Sequence, residues 1–279
     1  MAIQSRLLVT GASGQLGRAT LRHLLETLKV DPQRIGPFFV DFNDRLSVAD
    51  AAKDVQRALL TSSNDLFDRL EGQKATVNDL VKAGVQHIVY TSLQALDNAI
   101  AFIASDHRAT EQAIKESNVP GYTFLRNGLY FENNVMLAAG AAKSGQWYSA
   151  AEDGKLAPIA RDDLGRAAAY ALAGETVDRS TYELTGSEAF TVNEMVAQIS
   201  KAMEKPIQVV PVTVDQLAQG ISAATGMPGF VAKALASMDA NIAAGHTSVV
   251  TTDYEKLTGA KPQTHREWLD ANKALLQSL

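Results

Sequence analysis

The chain of 279 residues contains no cysteine. Disulfides, thiolate metal sites, iron–sulfur clusters and a cysteine nucleophile are therefore excluded, and the composition fits a reducing, cytoplasmic setting. Long hydrophobic runs are missing too: no stretch approaches the ~18 apolar residues of a membrane-spanning helix. The N-terminus shows no basic segment followed by an apolar one, so no signal peptide is expected. Positive charge is not in surplus. The 26 basic residues face 31 acidic ones, a formal net charge of −5, which disfavours a nucleic-acid binder with its basic face. Metal-ligand spacing is absent: there is no His-Glu-x-x-His, no carboxylate cluster, and His23, His87, His246 and His265 are scattered. No G-x-S-x-G motif and no flavin signature occur, which removes the simplest hydrolase reading. What remains is an ordinary globular composition, 46% apolar and 20% charged. At ~150 residues per domain the length suits two units, or one large α/β domain with an added lobe.

The first half alternates between two periodicities. Short β-rich runs at 6–10, 37–40, 57–61, 87–91 and 122–126 read as strands. Between them Leu21, Leu24, Leu25 and Leu28 fall at helical spacing, and 47–54 is a short helix candidate. Val77, Leu80 and Val81 mark a helix that Gly84 stops. Ser105 is placed to cap a helix running through Ile114, with Pro120 just past its end. Strands separated by helices imply parallel βαβ units.

The second half is less regular. An Ala-rich helix begins at Asp162 and ends at Gly174, 181–185 is a strand, and 207–212 is β-rich. Thr191 with Glu194, and Thr264 with Glu267, form capping boxes. Helical stretches lie near 214–225 and 230–244, and the last helix is expected to turn Trp268, Ala271, Leu275 and Leu276 inward. The expected fold is α/β: a Rossmann-type doubly wound parallel sheet in 1–150 and a smaller, mostly helical C-terminal lobe in 151–279, partly interwoven with it.

Gly11-Ala-Ser13-Gly14-Gln15-Leu16-Gly17 follows the first strand and opens the first helix. Glycines there allow a tight turn and a close backbone approach to a pyrophosphate, which the helix N-terminus attracts. A strand–loop–helix context makes this a dinucleotide-binding signal rather than a plain glycine-rich turn. Ligands of parallel sheets sit at the carboxyl ends of the strands. That selects Asp41 and Phe42 toward the adenosine half, then Thr61, Ser62 and Ser63, then Thr91 and Ser92 toward the nicotinamide, and Asn127. Tyr130, Phe131, Asn133 and Asn134 follow the last of these ends and offer aromatic and amide faces to a nicotinamide and an acceptor, with Phe131 equally suited to the core. Arg161 either reaches a phosphate or braces the cleft through Asp162 or Asp163.

None of the seven tyrosines has a lysine four residues on, so the proton-donating Tyr–Lys pair usual in short-chain dehydrogenases is missing. Taken together, the glycine loop, Tyr90-Thr-Ser-Leu93, His107-Arg-Ala-Thr-Glu111, and the segment from Phe124 through Leu-Arg-Asn-Gly-Leu-Tyr-Phe-Glu to Asn133 resemble the NmrA-like atypical short-chain dehydrogenases. The similarity is to their bacterial quinone- and dye-reductase branch, and it extends through Ile159–Ala169 and Tyr182-Glu-Leu-Thr185. The resemblance implies a reductase that binds NADP(H) and passes hydride to a quinone, azo dye or triphenylmethane dye. It also implies a place for His107 beside the nicotinamide, where a lysine stands in isoflavone-reductase relatives. His107 and Tyr130 are thus the candidate catalytic residues. Two further readings stay open: an NADP(H)-binding redox sensor with a protein partner, and a carbonyl or imine reductase with His107 as acid. An oligomer is compatible with each.

One departure from the branch stands out. A basic residue such as Arg normally ends its second strand, and a helix and third strand follow. Here only Gly36-Pro-Phe-Phe39 joins Ile35 to Val40, so the first domain looks shortened near 35–40. If 37–40 is the second strand, Asp41 lies 24 positions after Gly17, near the spacing of an acid that binds a ribose 2′-OH, which would suit NAD(H). NADP(H) is favoured by the resemblance, with Arg34 and Arg45 as the nearby cations.

Overall fold

The computed structural model describes residues 6–36, 45–63, 65 and 68–279, without the side chains of 45 and 46. The first half comprises β1 (Arg6–Val9), α1 (Gln15–Arg22), β2 (Ile35–Gly36), α2 (Arg45–Ala51), β3 (Val55–Leu60), α3 (Arg69–Lys82), β4 (His87–Leu93), α4 (Ala104–Glu116), β5 (Gly121–Asn127) and α5 (Asn133–Ser144). The second half adds β6 (Gln146–Ser149), β7 (Lys155–Leu156), α6 (Arg161–Ala173), β8 (Arg179–Leu184), β9 (Phe190–Thr191), α7 (Val192–Met203) and β10 (Gln208–Pro211). It ends with α8 (Val214–Thr225), α9 (Gly229–Ala243), α10 (Asp253–Thr258), α11 (His265–Ala271) and α12 (Lys273–Gln277).

Six strands form one parallel sheet in the order β2-β1-β3-β4-β5-β8. Side chains alternate between its faces, so consecutive apolar residues of β1 serve two cores. Leu7 and Val9 join Leu59, Val89 and Leu125 beneath Leu16 of α1 and Leu164, Ala168 and Leu172 of α6. Leu8 joins Ala58, Leu60, Ile88, Tyr90 and Phe124 beneath Ala51 of α2, Val77 and Leu80 of α3 and Ile114 of α4. Both faces are covered, which is why these strands are continuously apolar rather than alternating. A third core built on Trp147, Leu156, Val196, Ile199, Ile242, Trp268 and Leu269 fills the smaller lobe. The chain beyond 150 is not confined to that lobe: α6, β8 and Tyr254 of α10 return to the sheet.

Among the described residues, α2 lies between β2 and β3 in the chain, and β3 pairs with β1 on the side opposite β2. A doubly wound sheet ordered 3-2-1-4-5-6 carries a further strand outside the second. Among the described residues no strand lies outside β2. The described strand beside β1 is Ile35–Gly36, paired as Leu7↔Ile35 and Leu8↔Gly36. Residues 37–40, Asp41 and Phe42 lie outside the described residues.

Three expectations are corrected. Ser105 does not cap α4; the helix begins at Ala104 and the Ser105 hydroxyl instead donates to Phe102 O at 3.2 Å. Regular α-helix ends at Arg22 and gives way to a π turn over His23–Thr27, which leaves Leu25 39% exposed. The terminal helix is interrupted at Asn272, and the break shifts its phase: Trp268, Leu269 and Leu276 are buried while Ala271 and Leu275 face solvent.

Candidate cofactor and acceptor cleft

The turn between β1 and α1 is built by its glycines. Gly11 sits at φ +64°, a left-handed conformation open to glycine. A Cβ on Gly17 would come 2.2 Å from Gly11 O, so a side chain there has no space. Gly14 donates its N–H to Gly11 O at 2.9 Å and is the N-cap of α1. That cap has no side-chain oxygen on the helix N–H groups, and the first turn has no acidic residue. Ser13, Gly14 and Gln15 are exposed, whereas Leu16 and Gly17 are buried. Among the described residues, the N–H groups and the positive end of α1 therefore meet no capping side chain and no acidic residue of their own first turn.

The neighbouring strand ends are stitched to one another. Thr10 Oγ1 accepts from Thr61 N at 2.9 Å, and Thr61 Oγ1 donates to Thr10 O at 2.9 Å. Ser62 N donates to Thr91 Oγ1 at 2.8 Å, and that hydroxyl donates to Ser62 Oγ at 3.3 Å. Ser63 N donates to Gln73 Oε1 of α3 at 3.1 Å. Thr61, Ser62 and Ser63 stay half-buried at the cleft, while Thr91 is 2% exposed with its hydroxyl committed to the loop. Ser92 points to the other face, where its hydroxyl donates to Glu111 at 2.7 Å. The row expected from the sequence thus divides: Thr61, Ser62 and Ser63 are half-buried at the end of β3, whereas Thr91 and Ser92 are buried, with their hydroxyls bonded to Ser62 and Glu111.

Asn127 ends β5, and its buried Oδ1 has no partner. Beyond it Tyr130 is half-buried beneath the Arg161 guanidinium, 5.3 Å from the ring centroid, and burial pushes its phenol pKa up. Arg161 thus braces an aromatic ring. Asp162 instead engages Arg22 and His23, and Asp163 takes Tyr254 OH and Gln263 N. Glu132 accepts from Arg161 N at 3.0 Å and from Trp268 Nε1 at 3.3 Å, pinning the start of α6 to the lobe. Asn133 is exposed at the first position of α5. Asn134 is buried against Met195 Sδ, and Phe131 is 1% exposed against His265 and Trp268, so both belong to the lobe core.

His107 is 4% exposed. Its Nδ1 lies 2.8 Å from Tyr90 OH and its Nε2 3.1 Å from Arg69 Nη2. Burial, helped by the Arg69 charge, lowers its pKa to about 3, so the ring is neutral at pH 7. The nearby Arg126 is equally committed. Its guanidinium binds Glu111 at 2.9 and 3.0 Å, Asp97 at 3.0 Å and Glu183 at 3.2 Å. Three residues that matter here went unnoticed in the sequence: Arg69, Gln73 and Glu132. Arg69 and Gln73 carried a signal, since polar residues four apart on the face that also bears Val77 and Leu80 mark a buried hydrogen-bonding seam.

Known proteins resemble this chain in sequence and in fold. The chain is 29% identical over 275 residues to quinone oxidoreductase 2 of Escherichia coli, covering 93% of this chain and 96% of that one. The structure of the E. coli NADPH-dependent quinone oxidoreductase complexed with NADPH superimposes with a TM-score of 0.87 at 28% identity, over 95% of this chain and 99% of that one. Citrobacter sp. triphenylmethane reductase complexed with NADP(H) gives a TM-score of 0.81 at 27% identity, over 95% and 99% of the two chains. NAD(P)H azoreductase of Xenophilus azovorans is 25% identical over 295 residues, 96% of this chain and 98% of that one. Residues 38–269 match the NmrA-like family, and with most of its length inside that match the chain belongs to the NmrA-like family.

Proposed function

We propose that this protein is an NAD(P)H-dependent reductase of a small, flat, electron-poor acceptor of the quinone, azo-dye or triphenylmethane-dye kind, with NADP(H) as its cofactor. The observation that carries this reading is the first turn: a helix N-terminus without a side-chain cap, entered through a tight glycine turn in which Gly11 is left-handed and Gly17 has no space for a side chain. A dinucleotide pyrophosphate fits that cradle. The named activities of the quinone, dye and azo reductases above support the acceptor class, and the NADPH and NADP(H) complexes among them support the cofactor.

In this reading Gly11, Ser13, Gly14, Gln15, Leu16 and Gly17 hold the pyrophosphate through the backbone. Residues 61–63 border the middle of the dinucleotide, and Asn127, Tyr130 and Asn133 the nicotinamide end. The bound nicotinamide supplies the hydride. The chain holds donor and acceptor together and keeps water out. Asn127 offers a buried acceptor atom awaiting a donor. Tyr130 offers a ring face fixed by Arg161 and a phenol that stays protonated at neutral pH. A screen of quinones, azo dyes and triphenylmethane dyes with NADPH and NADH, followed by nicotinamide absorbance, tests the proposal. NADPH oxidation faster than NADH oxidation with at least one acceptor is expected. No oxidation with any of them would sink it.

A further inference from the structure

His107 sits in the seam between α3, α4 and β4. A guanidinium has donors and no acceptor, so Arg69, the first residue of α3, must donate to His107 Nε2. That nitrogen therefore bears the lone pair, and the ring proton resides on Nδ1, facing the Tyr90 phenol. A second proton would set N–H against N–H beside a guanidinium that is 5% exposed. The charged groups facing this seam are Arg69, Asp106, whose Oδ2 lies 3.7 Å from Arg69 Nε, and Glu111, which acts on Tyr90. Thr110 and Gln73 also face the Tyr90 hydroxyl and favour its charged form. Gln73 donates to Thr110 Oγ1 at 2.9 Å and accepts from Ser63 N. One continuous set of contacts thus runs from β4 through His107 to the first turn of α3, and from there to the loop that leaves β3.

Resting on the cofactor reading above, we infer that His107 is a positioning residue: as a neutral bridge between Arg69 and Tyr90 it fixes the start of α3, and with it residues 61–63, for the dinucleotide, and it does not donate the reaction's proton. Its burial at 4% exposure keeps it from touching an acceptor. The depressed basicity of the ring agrees with the geometry.

Two measurements need no acceptor. Long-range proton–nitrogen NMR of the wild-type His107 ring is expected to show the neutral Nδ1–H tautomer throughout about pH 5 to 8, the range in which an ordinary histidine titrates. A ring that titrates there overturns the inference. In NADPH titrations followed by nicotinamide fluorescence, His107→Phe removes both bonds and is expected to raise Kd about tenfold or more, since a buried guanidinium N–H loses its acceptor. His107→Gln, whose amide oxygen can accept from Arg69, is expected to stay within about threefold of wild type, because that bond is kept. Wild-type affinity in both variants overturns the positioning role. In turnover, His107→Gln is expected to keep the wild-type pH profile of kcat. A kcat lower by about a hundredfold or more with a lost pH limb and unchanged Kd identifies a proton donor and overturns the inference. Should His107→Phe fail to fold, the wild-type NMR and His107→Gln still decide. NADPH binding without turnover on any acceptor would instead strike the proposed function and leave this inference standing.

Discussion

At the scale of single residues, Gly14 separates stability from binding. It is an N-cap with extended backbone (φ −77°, ψ 167°), a conformation open to aspartate, and aspartate is a better cap than glycine by a few tenths of a kcal/mol. Its Cβ would lie 3.2 Å from Gly11 O, which asks only a small adjustment of the turn. Gly14→Asp is therefore expected to leave the melting temperature near that of wild type. The same carboxylate would stand where the pyrophosphate belongs, and two like charges at ~4 Å repel by about 1 kcal/mol even in water, so NADPH affinity is expected to fall about tenfold or more. Calorimetric titration beside a thermal melt checks both halves, and unchanged affinity would contradict the pyrophosphate assignment. Gly17→Val is different, because its Cβ meets backbone at 2.2 Å; it is expected to lower stability and binding together.

At the scale of elements, the Arg126 cluster joins α4 to β4, β5 and β8. Ser92, Arg126 and Glu183 are paired in register across those strands, and Glu111 of α4 closes the group from above. Glu111 is 2% exposed, whereas Asp97 is 77% exposed. Removing one partner of a buried pair leaves the other charge uncompensated, so Glu111→Ala is expected to cost about 3 kcal/mol or more. Asp97→Ala, at a solvated position, is expected to cost under about 1 kcal/mol. Chemical denaturation of the two variants checks this, and equal losses would show that burial is not what sets the strength of the cluster. Gly165 plays the corresponding role between helices. A Cβ there would meet Ala19 Cβ at 2.5 Å, so Gly165→Val is expected to force α6 away from α1 at a cost of about 1–3 kcal/mol.

At the scale of the whole molecule, four histidines, His23, His87, His107 and His265, are buried with lowered pKa values. His87 and His265 have pKa values lowered to about 4, and His107 to about 3, in each case mainly by burial. Their unfolded values are near 6.5. Below pH 6.5 the unfolded chain then binds more protons than the folded one, so stability falls as pH drops from about 6.5 toward 4 and is complete above that window. For His87 and His265, a fall from about 6.5 to about 4 corresponds to roughly 3 kcal/mol each. Asp163, Glu183 and Asp239, with carboxyl pKa values raised mainly by burial, act in the opposite sense in acid. Comparison with His265→Phe cancels those shared contributions. His265 lies among Phe131, Phe190 and Trp268 with its Nε2 unpartnered, so the variant should lose stability less steeply between about pH 6.5 and 4 than wild type. Calorimetric melts over that range measure the difference, and parallel curves would refute it.

Much of the fold was legible because it follows from local chemistry. Both capping boxes, at Thr191 with Glu194 and Thr264 with Glu267, form as their spacing implies, since each bond spans three residues. The apolar runs near 6–10, 57–61, 87–91 and 122–126 became parallel strands because a sheet covered on both faces accommodates them. The glycine turn was legible for the same reason: its shape is decided within seven residues. What spacing could not reveal was where a side chain's hydrogen bonds would go. Spacing marks His107 as a candidate acid, and only the fold brings Arg69, 38 residues away, to its ring nitrogen. Ser92 reads as a cofactor contact until the pleat turns it toward Glu111. Sequence by itself determined the strand–turn–helix cradle and the absence of cysteine chemistry and of a Tyr–Lys pair, because these depend on residue type and near neighbours. Tertiary structure alone decided which polar groups stay free to meet a ligand, because a donor or acceptor is used up by whichever distant partner the packed chain brings within 3 Å.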